Sequence, residues 1–207
     1  MPAKTAKRSY NSSRRNLQAA QTREEVLRAA SRLFGESGWA GTTLAAIADE
    51  AGVSVETIYN GFGSKKALLR EAMGVAVVGD TEPIPWAERP EFTALGEGTL
   101  TERTARGIAT VTVIHERSAG IWQAIVEAAS SDPEVDEWRR EMEGLRRTDV
   151  RRALELMLGE KIDEAVLTML WVLYSPEVYR KLVGDEGLSR EAYEELLIDA
   201  SRRLTGT

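Results

Sequence analysis

Between Thr43 and Asn60 the chain reads TLAAIADEAGVSVETIYN, a helix that stops itself and restarts for barely two turns. The apolar rhythm breaks at Gly52-Val53-Ser54, and the short second run carries Thr57, Tyr59 and Asn60 on its polar side. Two helices can cross at such a corner only if a small residue lets them approach, the turn takes a positive φ, and apolar anchors hold the second helix. Ala48 supplies the close approach and Gly52 the turn. Val53 plugs the corner, Ser54 caps the new helix, and Ile58 packs it back onto Ile47. The spacing Ile47-Ala48-x3-Gly52-Val53-x4-Ile58 meets these demands together and predicts a helix-turn-helix unit.

The rest of the pattern is helical too. Thr22 and Glu25 form a capping box that opens a first helix, whose stripe of Val26, Ala30, Leu33 and Phe34 runs until Gly35 and Gly38. Trp39, between Gly38 and Gly41, is expected to plug the space between the first two helices. Ser64 caps another helix, carrying Leu68, Ala72, Val75 and Ala76. Residues 79–98 hold three prolines and three glycines and read as an irregular connection. Beyond it, Thr99 and Glu102 make a second capping box, AGIWQAIVEAAS reads as a separate helix, and Asp132-Pro133 opens another that lasts to about Leu158. Two closing helices follow, and no segment alternates with a two-residue period over a strand length. The expected fold is all-α: a flexible basic arm over 1–21, a three-helix helix-turn-helix domain over 22–72, and a helical domain over 73–207.

Charge divides the chain the same way. Residues 1–72 carry 11 Lys and Arg against 7 Asp and Glu, whereas the remainder carries 16 against 26. Residues 1–23 hold six basic side chains and no acidic one, the footprint of an end that meets a polyanion. The chain has no Cys and one His, His115, so thiolate chemistry and multi-histidine metal sites are excluded. No apolar run approaches the ~20 residues that span a bilayer, and no secretory leader is visible, so no membrane partner and a cytoplasmic location are expected.

A short helix with polar outward positions suits a DNA major groove, about 12 Å wide. Val55, Glu56, Thr57, Tyr59 and Asn60 face the partner in this reading. Asn60 can pair with an adenine edge, Thr57 and Val55 can meet a thymine methyl or a phosphate, and the Tyr59 hydroxyl suits a phosphate. Thr43 and Ser54 stand at helix starts, and Lys65 adds charge at the start of the next helix.

The run from Thr22 to Leu69 resembles the N-terminal domain of tetracycline-repressor-like (TetR/AcrR) transcriptional regulators. The resemblance is carried by Phe34-Gly35-x-x-Gly38, Thr42-Thr43, Ala51-Gly52-Val53-Ser54, the Tyr59 to Phe62 run and Ser64-Lys65. Two residues depart from the family pattern: Asn60 stands where a His is common, and Glu56 puts an anion on the groove-facing helix. The resemblance implies a homodimer on a near-palindromic double-stranded operator, most simply a repressor released by a small-molecule effector, with no cofactor. It also implies a dimer interface on the closing helices, expected at Val166, Leu170, Leu173, Tyr193, Leu197, Ala200 and Leu204. An effector pocket is expected within residues 99–160, and His115, Trp122, Trp138 and Trp171 are its candidate residues, although each Trp suits a core equally well. The Arg-rich face of residues 139–152 reads as a salt-bridged surface. The alternatives are a helical adaptor that uses the corner for protein contacts, and an enzyme working in the pocket; no phosphate loop or nucleophile motif favours the latter.

Overall fold

The computed structural model describes the backbone of residues 6–207 and the side chains of residues 15–207. Ten α-helices and no strand occur among the described residues. They are α1 (Ala6–Gly41), α2 (Leu44–Ala51), α3 (Val55–Phe62), α4 (Lys65–Val78), α5 (Pro90–Thr93), α6 (Leu100–Ala129), α7 (Pro133–Leu158), α8 (Glu164–Leu173), α9 (Pro176–Tyr179) and α10 (Arg190–Thr205). Short 3-10 turns flank α5, and a π-helical turn, Arg180–Asp185, follows α9.

The helix starts follow from their caps. Thr43, Ser54, Ser64, Thr99, Asp132, Asp163, Ser175 and Ser189 each accept a backbone N–H at a helix N-terminus. Two expectations need correcting. Helix α1 begins at Ala6, so Thr22 lies inside it and caps nothing, and residues 6–21 of the expected flexible arm are helical; residues 1–5 lie outside the described residues. The two helices expected over residues 99–130 are one, because α6 runs unbroken past Gly120. That glycine stays helical to admit the α1 backbone: a Cβ on it would stand 2.7 Å from the Gly35 carbonyl oxygen.

Two hydrophobic cores form. The first joins Val26, Leu27, Ala30 and Phe34 of α1 to Ile47, Ile58, Phe62, Leu68, Leu69 and Ala72, and then to Ile121, Trp122 and Ile125 of α6 and Val135 and Trp138 of α7. The second gathers Phe92, Leu95, Ile108, Leu154, Met157, Leu167, Leu170, Tyr193 and Leu197. Packing therefore crosses the expected division at residue 72, since the tips of α6 and α7 complete the N-terminal core. Each fully buried Leu or Ile contributes on the order of 1.5–3 kcal/mol.

Candidate nucleic-acid interface and internal cavity

The corner at residues 43–63 is fixed by local backbone chemistry. Gly52 takes φ 67° and ψ 31°, and its N–H closes α2 onto the carbonyls of Ala48 and Asp49. The Val53 N–H then bonds the Ala48 carbonyl at 2.9 Å, turning the chain away from the α2 axis. Ser54 Oγ accepts the Thr57 N–H at 3.1 Å and shares a 2.9 Å hydrogen bond with the Thr57 hydroxyl. Ile58 and Phe62 are buried beneath α3, while Glu56, Thr57, Tyr59 and Asn60 are exposed and Val55 is half-buried. Tyr59 is 52% exposed, an unusual position for a large aromatic with nothing to cover it. Thr43 is exposed and its hydroxyl accepts the Ala46 N–H at 3.0 Å.

Lys65 departs from expectation. Its ammonium turns inward, donating to the Trp39 carbonyl and lying 4.0 Å above the Trp39 indole. Burial pushes it down from the ordinary lysine value, and the charge of Glu127 pulls against that shift. It supports the corner from within rather than offering itself to a phosphate, for a long side chain follows whatever tertiary partner lies within reach.

Glu127, absent from the sequence reading, sits at the centre of this junction. The α1 helix kinks at Gly38, with φ 69°, which frees the next two amides. Glu127 near the end of α6 accepts both, Trp39 N–H at 2.7 Å and Ala40 N–H at 3.0 Å. Thr42, noted in the sequence only as part of the family-like motif, is buried, and its hydroxyl lies within donating distance of the carbonyls of Leu33 at 2.9 Å and Gly38 at 2.7 Å. Arg23 closes the far end of α3, donating to the Gly61 carbonyl at 3.2 Å, stacking 4.5 Å from the Phe62 ring and pairing with Glu71. Gly38, Trp39 and Thr42 were visible beforehand, but the partners of Glu127 and Arg23 were not, because they lie 88 and 38 residues away.

Behind this head lies a cavity of about 370 Å³ walled by α4, α6, α7 and the 86–95 connection. Met73 and Val77 come from α4, Val111, Ile114 and Trp122 from α6, Val150, Ala153 and Met157 from α7. Of the expected pocket residues, His115 and Trp122 line it. Trp138 packs in the N-terminal core with Arg70 over its ring, and Trp171 lies on α8 under the guanidinium groups of Arg146 and Arg147. Neither lines the cavity. His115 is buried, its Nδ1 is 3.4 Å from the Tyr193 hydroxyl, and burial together with the charge of Arg146 pushes it down to about 3. The Trp122 indole N–H donates to Glu177 at 2.6 Å.

The family model for bacterial regulatory proteins of the tetR family matches residues 26–72, the span that contains the corner. Residues 26–72 thus carry the N-terminal domain described by that family model. Solved structures extend the likeness in fold well beyond that span. A protein from Rhodococcus sp. assigned to TetR-family transcriptional regulators superposes with TM-score 0.67 at 16% identity, covering 89% of this chain and 98% of the other. A second, from Mesorhizobium loti MAFF303099 and assigned likewise, gives TM-score 0.64 at 19% identity over 91% and 96%. A transcriptional regulator from Rhodococcus sp. Rha1 gives TM-score 0.62 at 17% identity over 89% and 96%. Among curated proteins no sequence matches at a significant level. The chain thus shares the fold of these solved proteins, with a helix-turn-helix head and a helical C-terminal portion. None of its described helices is long and apolar enough to cross a membrane.

The residues expected at a dimer face divide between the chain's interior and its surface. Leu170, Tyr193 and Leu197 are fully buried within the chain's own second core, and Val166, Leu173, Ala200 and Leu204 are half-buried. The apolar side chains left outward are Met169 and Val172 on α8, 56% and 50% exposed, and Leu196 on α10, 40% exposed. Three of the seven expected residues therefore face inward, and the other four keep part of their surface outward. The Arg-rich face of α7 is salt-bridged, through Arg139 and Arg140 to Asp136, and through Arg147 and Arg151 to Glu164.

Proposed function

We propose that the chain is a homodimeric, ligand-responsive repressor that binds a near-palindromic operator and leaves it when a small molecule enters the cavity. The observation that carries this reading is α4, which starts at the end of the exposed α3 head and whose far turns, Met73 to Val78, wall the cavity. A 14-residue helix of about 21 Å makes one stiff piece of the two sites. Glu127 gives a second tie, from α6 to the kink of α1. A ligand that prefers the conformation with wrongly spaced α3 helices lowers operator affinity by its differential binding, and a 100-fold loss requires about 2.7 kcal/mol.

The division into a reading head over 22–72 and an effector and dimerisation portion over 73–207 goes with this proposal. So does the site assignment: Thr43, Ser54, Val55, Glu56, Thr57, Tyr59 and Asn60 at the DNA, with Met169, Val172 and Leu196 outward on the dimer face. The test is a gel shift of purified protein on its own upstream DNA, run across a salt series and a metabolite panel, with a reporter on the same promoter. Affinity is expected to fall steeply with salt, at least one metabolite to release the DNA, and the reporter to rise when the gene is deleted. Failure to bind DNA even in dilute buffer would overturn the reading and favour the adaptor alternative.

A further inference from the structure

The cavity wall is apolar apart from a few groups, and the charges among them are not equivalent. Arg146 is held by its own chain through four hydrogen bonds. Its Nη1 donates to the carbonyls of Trp171 at 2.9 Å and Tyr174 at 3.0 Å, and its Nε and Nη2 donate to Glu143 at 3.3 and 2.9 Å. His115 is neutral at ordinary pH. Asp149 differs. It projects from α7 into the cavity wall, is half-buried, is the one carboxylate in that wall, and has no hydrogen bond or ion pair among the described residues. Arg152, three residues on, is exposed and forms no ion pair with it.

An unpartnered carboxylate facing an apolar space pays for its lost hydration unless a cation or a donor meets it. An anionic ligand would meet Asp149 with no free guanidinium to offset the repulsion, and a neutral apolar ligand would leave the carboxylate stranded. Two indoles, Trp86 and Trp122, also line the space, and their faces favour positive charge. A volume of about 370 Å³ is at the small end of ligand sites, which run to roughly 1,000 Å³.

We infer that the cavity takes a small lipophilic monocation, a protonated or quaternary amine on an apolar body, with Asp149 as its counter-ion. The inference rests on the reading of this cavity as the effector site. Burial raises the Asp149 carboxyl from its ordinary value while Arg152 opposes the shift, consistent with a charge that gains from a partner.

The experiment uses the purified full chain and three probes with one apolar body: trimethyl(4-phenylbutyl)ammonium, its neutral isostere with carbon in place of nitrogen, and 5-phenylpentanoate. Binding is read by indole fluorescence and confirmed by calorimetry. The cation should bind about tenfold tighter than the neutral isostere, the gain of an ion contact with Asp149 beside the indole faces. Asp149→Asn should erase that preference while leaving the neutral probe's affinity unchanged, and Asp149→Glu should retain part of it. Equal or tighter binding of the neutral or anionic probe overturns the cation assignment and leaves the effector site standing. An unchanged cation Kd in a folded Asp149→Asn protein also overturns it. Binding by none of the three removes both this inference and the effector reading of the cavity.

Discussion

Replacing Glu127 by Gln exchanges one carboxylate oxygen for an NH2 group and should loosen the joint between the reading head and the cavity domain. The carboxylate accepts two backbone N–H groups at the α1 kink, 2.7 Å from Trp39 and 3.0 Å from Ala40. A glutamine keeps one acceptor and turns an NH2 group toward the other amide, so one charge-assisted bond is lost outright. The Ala40 amide is on the exposed side, where water can replace the contact, whereas the Trp39 bond is partly buried. With the amide oxygen kept on Trp39, that bond loses its charge assistance and the Ala40 bond goes to water, a combined loss of about 1.5–3 kcal/mol. At roughly 2–4 °C per kcal/mol for a chain this long, the apparent Tm should fall by about 3–12 °C. Differential scanning calorimetry gives that number, and a urea titration with an unchanged m-value would show that the native state alone is affected. A Tm within about 1 °C of the parent would refute the argument, because the two amides would then be satisfied without the carboxylate.

Three further outcomes are expected. Tyr59→Phe should weaken DNA binding about three- to tenfold across all sequences, as one phosphate contact is lost, whereas Asn60→Ala should relax preference at a single base pair; fluorescence anisotropy on a set of operator variants separates the two. Lys65→Ala should lower thermal stability but leave the salt slope of DNA binding unchanged, because its ammonium is engaged by Trp39; a slope shallower by about one unit would mean that it meets a phosphate after all. Stability should decline as pH falls below about 6.5, by up to about 1.4 kcal/mol per pH unit, because the unfolded chain takes up a proton that folded His115 refuses until about pH 3. His115→Gln should flatten that slope between pH 6.5 and 5 in urea titrations, and an unchanged slope would exclude His115 as its source.

The features that could be read from sequence are those decided within a few residues. Gly52 needed a positive φ, Ser54 and Ser64 needed only the amide three residues on, and Thr99 with Glu102 completed each other's bonds. The errors share a different physics. Thr22 and Glu25 have the residue types of a cap, yet the preceding backbone stays helical and leaves no amide to satisfy. Gly120 looks like a boundary between two helices but is the place where α1 and α6 touch backbone to backbone, which depends on Gly35, 85 positions earlier. Periodicity identified an apolar stripe through Leu170, Tyr193 and Leu197 without saying whether its cover was the same chain or a second copy. Lys65 and Trp138 were misplaced for the same reason, since what a long or flat side chain rests on is a tertiary property.

The shared first core has a practical bearing on building hybrid regulators from this chain. A transplant that cuts at residue 72 would sever Ile47, Ile58 and Leu68 from Ile121, Ile125 and Trp138 and leave the donor head with an open apolar flank. A graft with better prospects would carry the stretch from Gly120 to Trp138 along with the head, so that the recipient inherits the socket as well as the plug.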